Sequence, residues 1–143
     1  DYIANAIREA KIKYGLHSVA YDRYRATELV KDLNQEFGHH SETQTNEWME
    51  PFTQTTLHMT APLQEIEQLL LKRRLNHGRN PVIEWMNRNV VIYMDGNGNF
   101  KLDKRASKEK IDGMVALAMA VGQYMTYKHQ IIDAYSKLDV YIL

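Results

Sequence analysis

The sequence predicts an α/β fold, and three observations support this class. Residues 2–14 and 25–37 carry apolar side chains at helical spacing. Residues 18–21 lie between them and form a short strand-like segment. A β-branched segment, residues 90–94, occurs later in the chain. Because helix and strand alternate, we expect a parallel or mixed sheet packed against helices.

The first third of the chain is predicted to form helix, strand and helix. Gly15 and Gly38 follow the two predicted helices, at the position after a helix C-terminus where glycine is favoured. Asp22 stands directly after the predicted strand. Residues 39–55 are rich in His, Ser, Thr and Asn, so we interpret them as mostly loop.

Two helices are predicted in the middle of the chain. The first begins near Pro62 and ends near Leu75, and His77 follows it in a predicted turn. The second is short, with Asn80 as its N-cap and Pro81 in its first turn.

A β-hairpin is predicted near residues 90–102, because a β-branched strand is followed by the turn sequence DGNGN and a short alternating segment. Ser107 is expected to cap an almost wholly apolar helix that runs to about residue 128. Residues 124–143 are expected to form a C-terminal tail, also helical, beyond a main domain of residues 1–123.

Composition excludes several classes of protein. The length of 143 residues, with 44% hydrophobic and 25% charged residues, indicates one globular domain. The chain has no cysteine, which excludes disulfides and thiolate metal sites, and no apolar run long enough to span a membrane. A net charge of zero argues against non-specific coating of duplex DNA, although residues 72–74 and 101–110 are local basic clusters. Each cluster is either a binding strip or a solvated face.

Two acids are candidates for chemistry. Asp22 follows a strand, where sites form in α/β sheets, but from position alone a helix cap or turn residue is the favoured interpretation. Asp112 lies among apolar residues, where a carboxylate needs a compensating cation, and Gly113 beside it would allow another backbone to approach closely. The alternative for Asp112 is an ion pair with Lys108 one turn earlier. If the two acids meet in the fold, Mg²⁺ or Mn²⁺ is the expected ligand.

Other motifs are weaker. Asp95, Asn97 and Asn99 match positions of a calcium loop, but Phe100 replaces its glycine and Ala106 its glutamate, so a hairpin turn is favoured. His77 is either a phosphate contact or a turn residue. Trp48, Trp85 and the Met-rich segment 114–125 are expected in the core, and no phosphate-binding loop of the ATPase type is present.

The order of these motifs resembles the C-terminal nuclease domain of phage terminase large subunits. The most specific segments are His77-Gly78-Arg79-Asn80-Pro81-Val82 and Ile111-Asp112-Gly113. The other matching segments are residues 19–24, 52–54, 62–70, 83–85 and 89–91, with Lys104, Ser107 and Lys110. The resemblance covers roughly residues 1–123.

This resemblance implies an RNase H-like mixed sheet flanked by helices and a metal-dependent endonuclease that cuts concatemeric viral DNA. It implies that Asp22 and Asp112 are catalytic ligands of a two-metal site holding Mg²⁺ or Mn²⁺. His77, Lys104, Arg105 and Lys108 are then candidate DNA or phosphate contacts. The implied partners are double-stranded viral DNA, the portal protein and the small terminase subunit, without a membrane, for a phage or prophage protein in the host bacterial cytoplasm.

The sequence departs from the family pattern in three places. The family's first acid lies on an earlier strand, so we expect an N-terminally truncated domain with an incomplete site and little nuclease activity alone. Arg79 and Thr55 stand where the family commonly has glycine. Two alternatives remain: a truncated, non-catalytic remnant that binds DNA or the portal, and an unrelated RNase H-like nuclease such as a junction resolvase.

Overall fold

The structure is a computed structural model that describes residues 2–23, 26–40, 45–46 and 48–138. In this part of the chain, the elements are α1 Tyr2–Tyr14, β1 Val19–Tyr21, α2 Thr27–Phe37, β2 His39–His40, β3 Thr45–Asn46, β4 Met49–Pro51, α3 Thr56–Leu71, α4 Pro81–Arg88, β5 Ile92–Met94, β6 Phe100–Leu102 and α5 Asp112–Leu138. β1 pairs with β4 in parallel, whereas β2 with β3 and β5 with β6 are antiparallel. None of the described helices is long and apolar enough to cross a membrane. The chain divides into two compact units, Asp1–Phe52 and Thr53–Leu143.

The first unit packs α2 and the β1–β4 pair around a small core. Val30, Leu33, Trp48 and Met49 are buried together. The Trp48 ring meets Phe37 edge-on with centroids 5.0 Å apart, and its indole N–H donates to the Leu16 carbonyl. These residues place Trp48 in the core as predicted.

Glycine ends α1 as the sequence predicts. Gly15 has a φ of 61°, and its N–H donates to the Lys11 carbonyl at 2.9 Å. This left-handed conformation is easily reached by glycine and stops the helix. α2 also ends before its predicted glycine, but Gly38 is extended, with a φ of −68°.

The prediction of mostly loop for residues 39–55 is wrong for the described residues of this stretch, and residues 41–44 and 47 lie outside the described part. Three short strands occur there, and β4 pairs with β1 in the register Val19↔Met49 and Tyr21↔Pro51. The Asn34 side chain accepts the Met49 N–H at 2.7 Å, and Met49 is buried. The sequence of β4 contains no β-branched residue. These tertiary contacts, and not local β-propensity, therefore specify the strand.

In the second unit, the predicted start of α3 near Pro62 and its predicted end near Leu75 are both wrong. The helix begins at Thr56 and ends at Leu71, and Thr55 is its N-cap, accepting the His58 N–H. Pro62 lies inside the helix and is buried, although proline has no N–H to donate to the carbonyl one turn earlier. A local helix-breaking signal was therefore overridden by burial.

The predicted hairpin is confirmed, and α3 holds it in place. β5 and β6 pair in the register Ile92↔Leu102 and Met94↔Phe100. The Thr60 hydroxyl accepts the Phe100 N–H at 2.8 Å, and the Thr56 hydroxyl donates to the Asp95 carboxylate at 2.7 Å. That hydrogen bond from Thr56 is the main reason that the pKa of Asp95 lies below its ordinary value.

The capped start of α4 is confirmed, because the Asn80 side chain accepts the N–H groups of Val82 and Ile83 at 2.9 and 3.3 Å. The expected cap of the last helix is wrong. Ser107 donates its hydroxyl to the Asp103 carbonyl at 2.6 Å, and α5 begins only at Asp112.

α5 supplies most of the core of the second unit. α3 packs against both α5 and β6. The buried hydrophobic residues of this unit are Met59, Ile66, Leu102, Ile111, Met114, Val115, Ala118, Met119 and Val121. The helix continues to Leu138, so residues 124–138 extend it, and residues 139–143 lie outside the described part. The domain boundary at residue 123 stays a prediction.

Candidate functional site

Asp22 lies directly after the carboxyl end of β1, as the sequence predicts, and its side chain is exposed. It is not the cap of the following helix, since the N-cap of α2 is Ala26, which makes no side-chain capping hydrogen bond. The residues on either side of it, Tyr21 and Arg23, line a cleft of about 510 Å³ together with Lys31 and Asn34. Asp22 therefore stands at an accessible edge of the first unit.

Asp112 is the first residue of α5 and its side chain is 63% exposed. The expectation that it lies inside an apolar helix is wrong, because the helix begins at Asp112 itself. Its neighbour Ile111 and Val115 one turn later are buried, whereas the carboxylate points to solvent. A carboxylate at a helix N-terminus is also stabilised by the partial positive charge of the unpaired backbone N–H groups.

An ion pair links Asp112 to Lys104. The Lys104 ammonium lies 2.8 Å from Oδ1 of the carboxylate, so the partner is not Lys108, which the alternative interpretation had named. By its hydrogen bond, and then by its charge, Lys104 holds the pKa of Asp112 below its ordinary value, with a smaller contribution from the charge of Lys110. Both side chains are largely exposed, so the pair contributes little to stability.

Gly113 allows α4 to contact the start of α5. A Cβ at this position would lie 2.8 Å from the Met86 sulfur and 2.9 Å from Ile83 Cδ1. The Gly113 N–H also points to the Met86 sulfur at 3.2 Å. The approaching atoms belong to side chains, so the expectation of a second backbone was wrong. Helix α4, which begins within the segment 77–82, thus contacts the segment 111–113 beside Asp112.

A cleft of about 500 Å³ lies in the second unit, and Lys104 connects it to Asp112. Its floor includes three buried apolar residues, Met59, Leu102 and Val115. The remaining lining residues are polar or charged: Gln54, Tyr93, Lys101, Asp103, Lys104 and Arg105.

Sequence reasoning anticipated part of this cleft. Lys104 and Arg105 were candidate phosphate contacts, and both line it. Tyr93 was missed, because a tyrosine on a hairpin strand carries no separate signal. Asp103 was also missed. Its carboxylate accepts the N–H groups of Arg105 and Ala106 at 2.9 and 3.1 Å, so it is a turn residue. Asp commonly forms such a turn with the backbone that follows it, and this preference could have suggested the role.

The other candidate contacts have less structural support. His77 is exposed in the turn between α3 and α4, where its carbonyl accepts the Asn80 N–H at 3.2 Å. Lys108 is exposed in the segment before α5. Trp85, which was expected in the core, is 44% exposed. The roles of His77 and Lys108 stay predictions.

Asp22 and Asp112 have the ligand chemistry that a hydrated divalent metal prefers, but they are few. Exposed carboxylates are the hard oxygen donors that Mg²⁺ and Mn²⁺ prefer, and Mg²⁺ commonly keeps several waters while using one or two carboxylates. Within the described residues, however, no group of three His, Cys, Asp or Glu side chains could hold a metal. Asp22 and Asp112 belong to different units, and their convergence stays a prediction.

The family model that describes the terminase large subunit, endonuclease domain, matches residues 3–128 of this sequence. The chain belongs to this family. The large terminase subunit of Enterobacteria phage HK97 is 32% identical over 122 residues, which are 85% of this chain and 23% of that protein. Protein YmfN of Escherichia coli K12 is 34% identical over 113 residues, 76% of this chain and 22% of that protein. The chain thus spans less than a quarter of the length of these curated relatives.

A solved structure agrees with the sequence comparison. The crystal structure of the HK97 bacteriophage large terminase matches with a TM-score of 0.70 and 32% identity, covering 85% of this chain and 24% of that one. The α/β fold class predicted from the sequence is confirmed, and its helices and small sheets are consistent with an RNase H-like domain of a terminase large subunit.

Proposed function

We propose that this chain is part of a DNA endonuclease that cuts concatemeric viral DNA during packaging, with Asp22 and Asp112 as its catalytic metal ligands. The observation that carries the proposal is the exposed carboxylate of Asp112 at the start of α5, in a chain that belongs to the endonuclease family of terminases. The cationic cleft reached through Lys104 supports a phosphate-bearing substrate.

In this proposal Asp22 and Asp112 would hold Mg²⁺ or Mn²⁺, and the bound metal would supply an activated water and positive charge for the leaving oxygen of a phosphodiester. The chain's own residues have separate tasks. α4 contacts Gly113 and so fixes the backbone that carries Asp112. Lys104 and Arg105 present positive charge to the DNA backbone, with His77 and Lys108 as further contacts. The proposed partners are duplex viral DNA, the portal protein and the small terminase subunit, in the cytoplasm of a bacterial host.

Metal binding tests the proposal independently of cleavage. Mn²⁺ binding to the chain would be followed by electron paramagnetic resonance for the wild type, Asp22→Asn, Asp112→Asn and the exposed control Glu109→Gln. We expect each Asp variant to weaken binding by about tenfold or more, which corresponds to the roughly 1.4 kcal/mol of one lost ligand contact. The control should remain close to the wild type. Wild-type Mn²⁺ affinity in Asp112→Asn would refute the assignment.

Cleavage would be measured as nicking of supercoiled plasmid with Mg²⁺ or Mn²⁺. Because the described residues hold no group of three metal-binding side chains, we expect weak nicking by the chain alone. Whatever nicking occurs should disappear in Asp112→Asn. Robust nicking that survives this substitution would contradict the proposed site.

A second candidate function is DNA or portal binding without cleavage. The 2.8 Å ion pair between Lys104 and Asp112 favours it, because a carboxylate engaged by an ammonium is less available to a metal. Duplex binding without measurable Mn²⁺ affinity would support this function over the nuclease.

A further inference from the structure

We propose that the cleft of the second unit binds a backbone phosphate of nucleic acid, and that Lys104 is shared between this phosphate and Asp112. The inference rests on the proposed function, because it assigns a substrate contact and a means of control to the same site. The cleft, Lys104 and Asp112 all belong to the second unit.

The charge of the cleft favours an anion. Lys101, Lys104 and Arg105 line it together with one acid, Asp103. The Asp103 carboxylate already accepts two backbone N–H groups, which lower its pKa and occupy one of its oxygens. Three cationic side chains therefore face a single carboxylate that is engaged in its own turn. Guanidinium and ammonium groups are the side chains that most strongly bind phosphate oxygens.

The size and lining of the cleft favour a phosphodiester over a free phosphate ion. A volume of about 500 Å³ suits a group of nucleotide size. The buried residues Met59, Leu102 and Val115 give it an apolar floor that a small anion would not use. Tyr93, which is 49% exposed, offers an aromatic face on which a base or sugar can stack.

Lys104 connects this cleft to Asp112. Its ammonium lies 2.8 Å from Asp112 Oδ1, while the side chain lines the cleft and is 47% exposed. A lysine has three donors on a flexible stem, so a small rotation can move the ammonium between two anions. A phosphate in the cleft then competes with Asp112 for Lys104. Substrate binding would release the Asp112 carboxylate, and an empty cleft would leave it paired.

Binding measured without metal tests the phosphate site. A short fluorescent DNA duplex would be titrated with the full chain in the presence of a chelator, so that no cleavage occurs. We expect Lys104→Gln to weaken binding by about tenfold and to reduce the salt dependence by roughly one phosphate contact. Lys128→Gln, an exposed lysine of α5 with the same loss of charge, should change binding by less than about twofold.

A double-mutant cycle tests whether Lys104 is shared. Asp112→Asn should tighten duplex binding by up to about fivefold, the range of an exposed ion pair, because it releases Lys104. Glu109→Gln removes the same charge nearby and should have a smaller effect. In the Lys104→Gln background, Asp112→Asn should tighten duplex binding no more than Glu109→Gln does. An equal gain in both backgrounds would mean that the carboxylate acts through its charge alone, and the shared role would be wrong.

Inorganic phosphate distinguishes the two sources of this ligand chemistry. Amide NMR signals of residues 101–105 should shift with the duplex at lower concentration than with inorganic phosphate. A preference for inorganic phosphate, or no shift with either, would overturn the phosphodiester assignment. Failure of the proposed nuclease appears elsewhere, as unchanged Mn²⁺ binding in Asp112→Asn, so the two failures are separable.

Discussion

Gly113 is where α4 contacts the start of α5, and its replacement by alanine tests whether this contact is tight enough to position Asp112. In an open helix, Gly→Ala stabilises by about 1 kcal/mol. Here the new Cβ would lie 2.8 Å from the Met86 sulfur and 2.9 Å from Ile83 Cδ1, closer than real contacts of this kind. Overpacking of this type costs about 1–3 kcal/mol, and the two side-chain ends can move in part. We therefore expect Gly113→Ala to lower the free energy of unfolding by about 0–2 kcal/mol.

Urea unfolding measures this change, and Gly96→Ala is the matched control. No atom lies within 4 Å of a Cβ placed at Gly96, so that variant should stay within about 0.5 kcal/mol of the wild type. The cause is tested by Met86→Ala, which removes the nearest atom. In that background Gly113→Ala should be less destabilising or stabilising. A gain of about 1 kcal/mol for Gly113→Ala in the wild type as well would refute the proposed contact.

Three further predictions concern stability. Thr60→Val should lower the free energy of unfolding by about 1–3 kcal/mol, because it leaves the Phe100 N–H without its acceptor. Thr126→Val, which removes an exposed hydroxyl, should have little effect in the same urea assay. Arg79→Gly should leave the free energy of unfolding unchanged or raise it by up to about 1 kcal/mol, since the φ of 52° favours glycine, whereas Arg79→Val should lower it measurably. Folding lowers the pKa values of Asp95, Asp103 and Asp112 from an ordinary 3.8. Their contribution to stability is therefore present above that pH and is lost as the pH falls below it. The free energy of unfolding measured against pH should show this loss, and it should fall less steeply at acid pH in Asp95→Asn.

Local signals predicted the elements that neighbouring residues encode. Asn80 and Pro81 together fix the start of α4, because one supplies the capping oxygen and the other a helical φ. The hairpin turn was equally clear, with Asp95 accepting the N–H groups of Asn97 and Asn99. In both cases the stabilising contacts lie within five residues of each other, so the sequence pattern contains them.

The missed elements depend on distant contacts. β4 is built on the Asn34 side chain and on the burial of Met49, which the sequence of 49–51 does not reveal. Helix α3 passes through Pro62, a residue that locally favours a helix start. For α5, Asp103 and Ser107 both carry side chains that can cap a helix, and the sequence does not decide between a single turn at Asp103 and a continuous helix from Ser107.

Asp112 was selected as a candidate for an environment that the structure does not show. It was selected because a carboxylate among apolar residues needs a cation, and the structure instead gives it a helix N-terminus, open solvent and Lys104. Its apolar neighbours Ile111 and Val115 are buried while the carboxylate is exposed, so the apolar pattern indicated the core and not the environment of the acid. An exposed carboxylate suits the proposed chemistry better than a buried one, since a hydrated metal and a DNA phosphate must both reach it. The convergence of Asp112 with Asp22 stays a prediction, because a sequence pattern does not contain the placement of two segments that are separated by most of the chain.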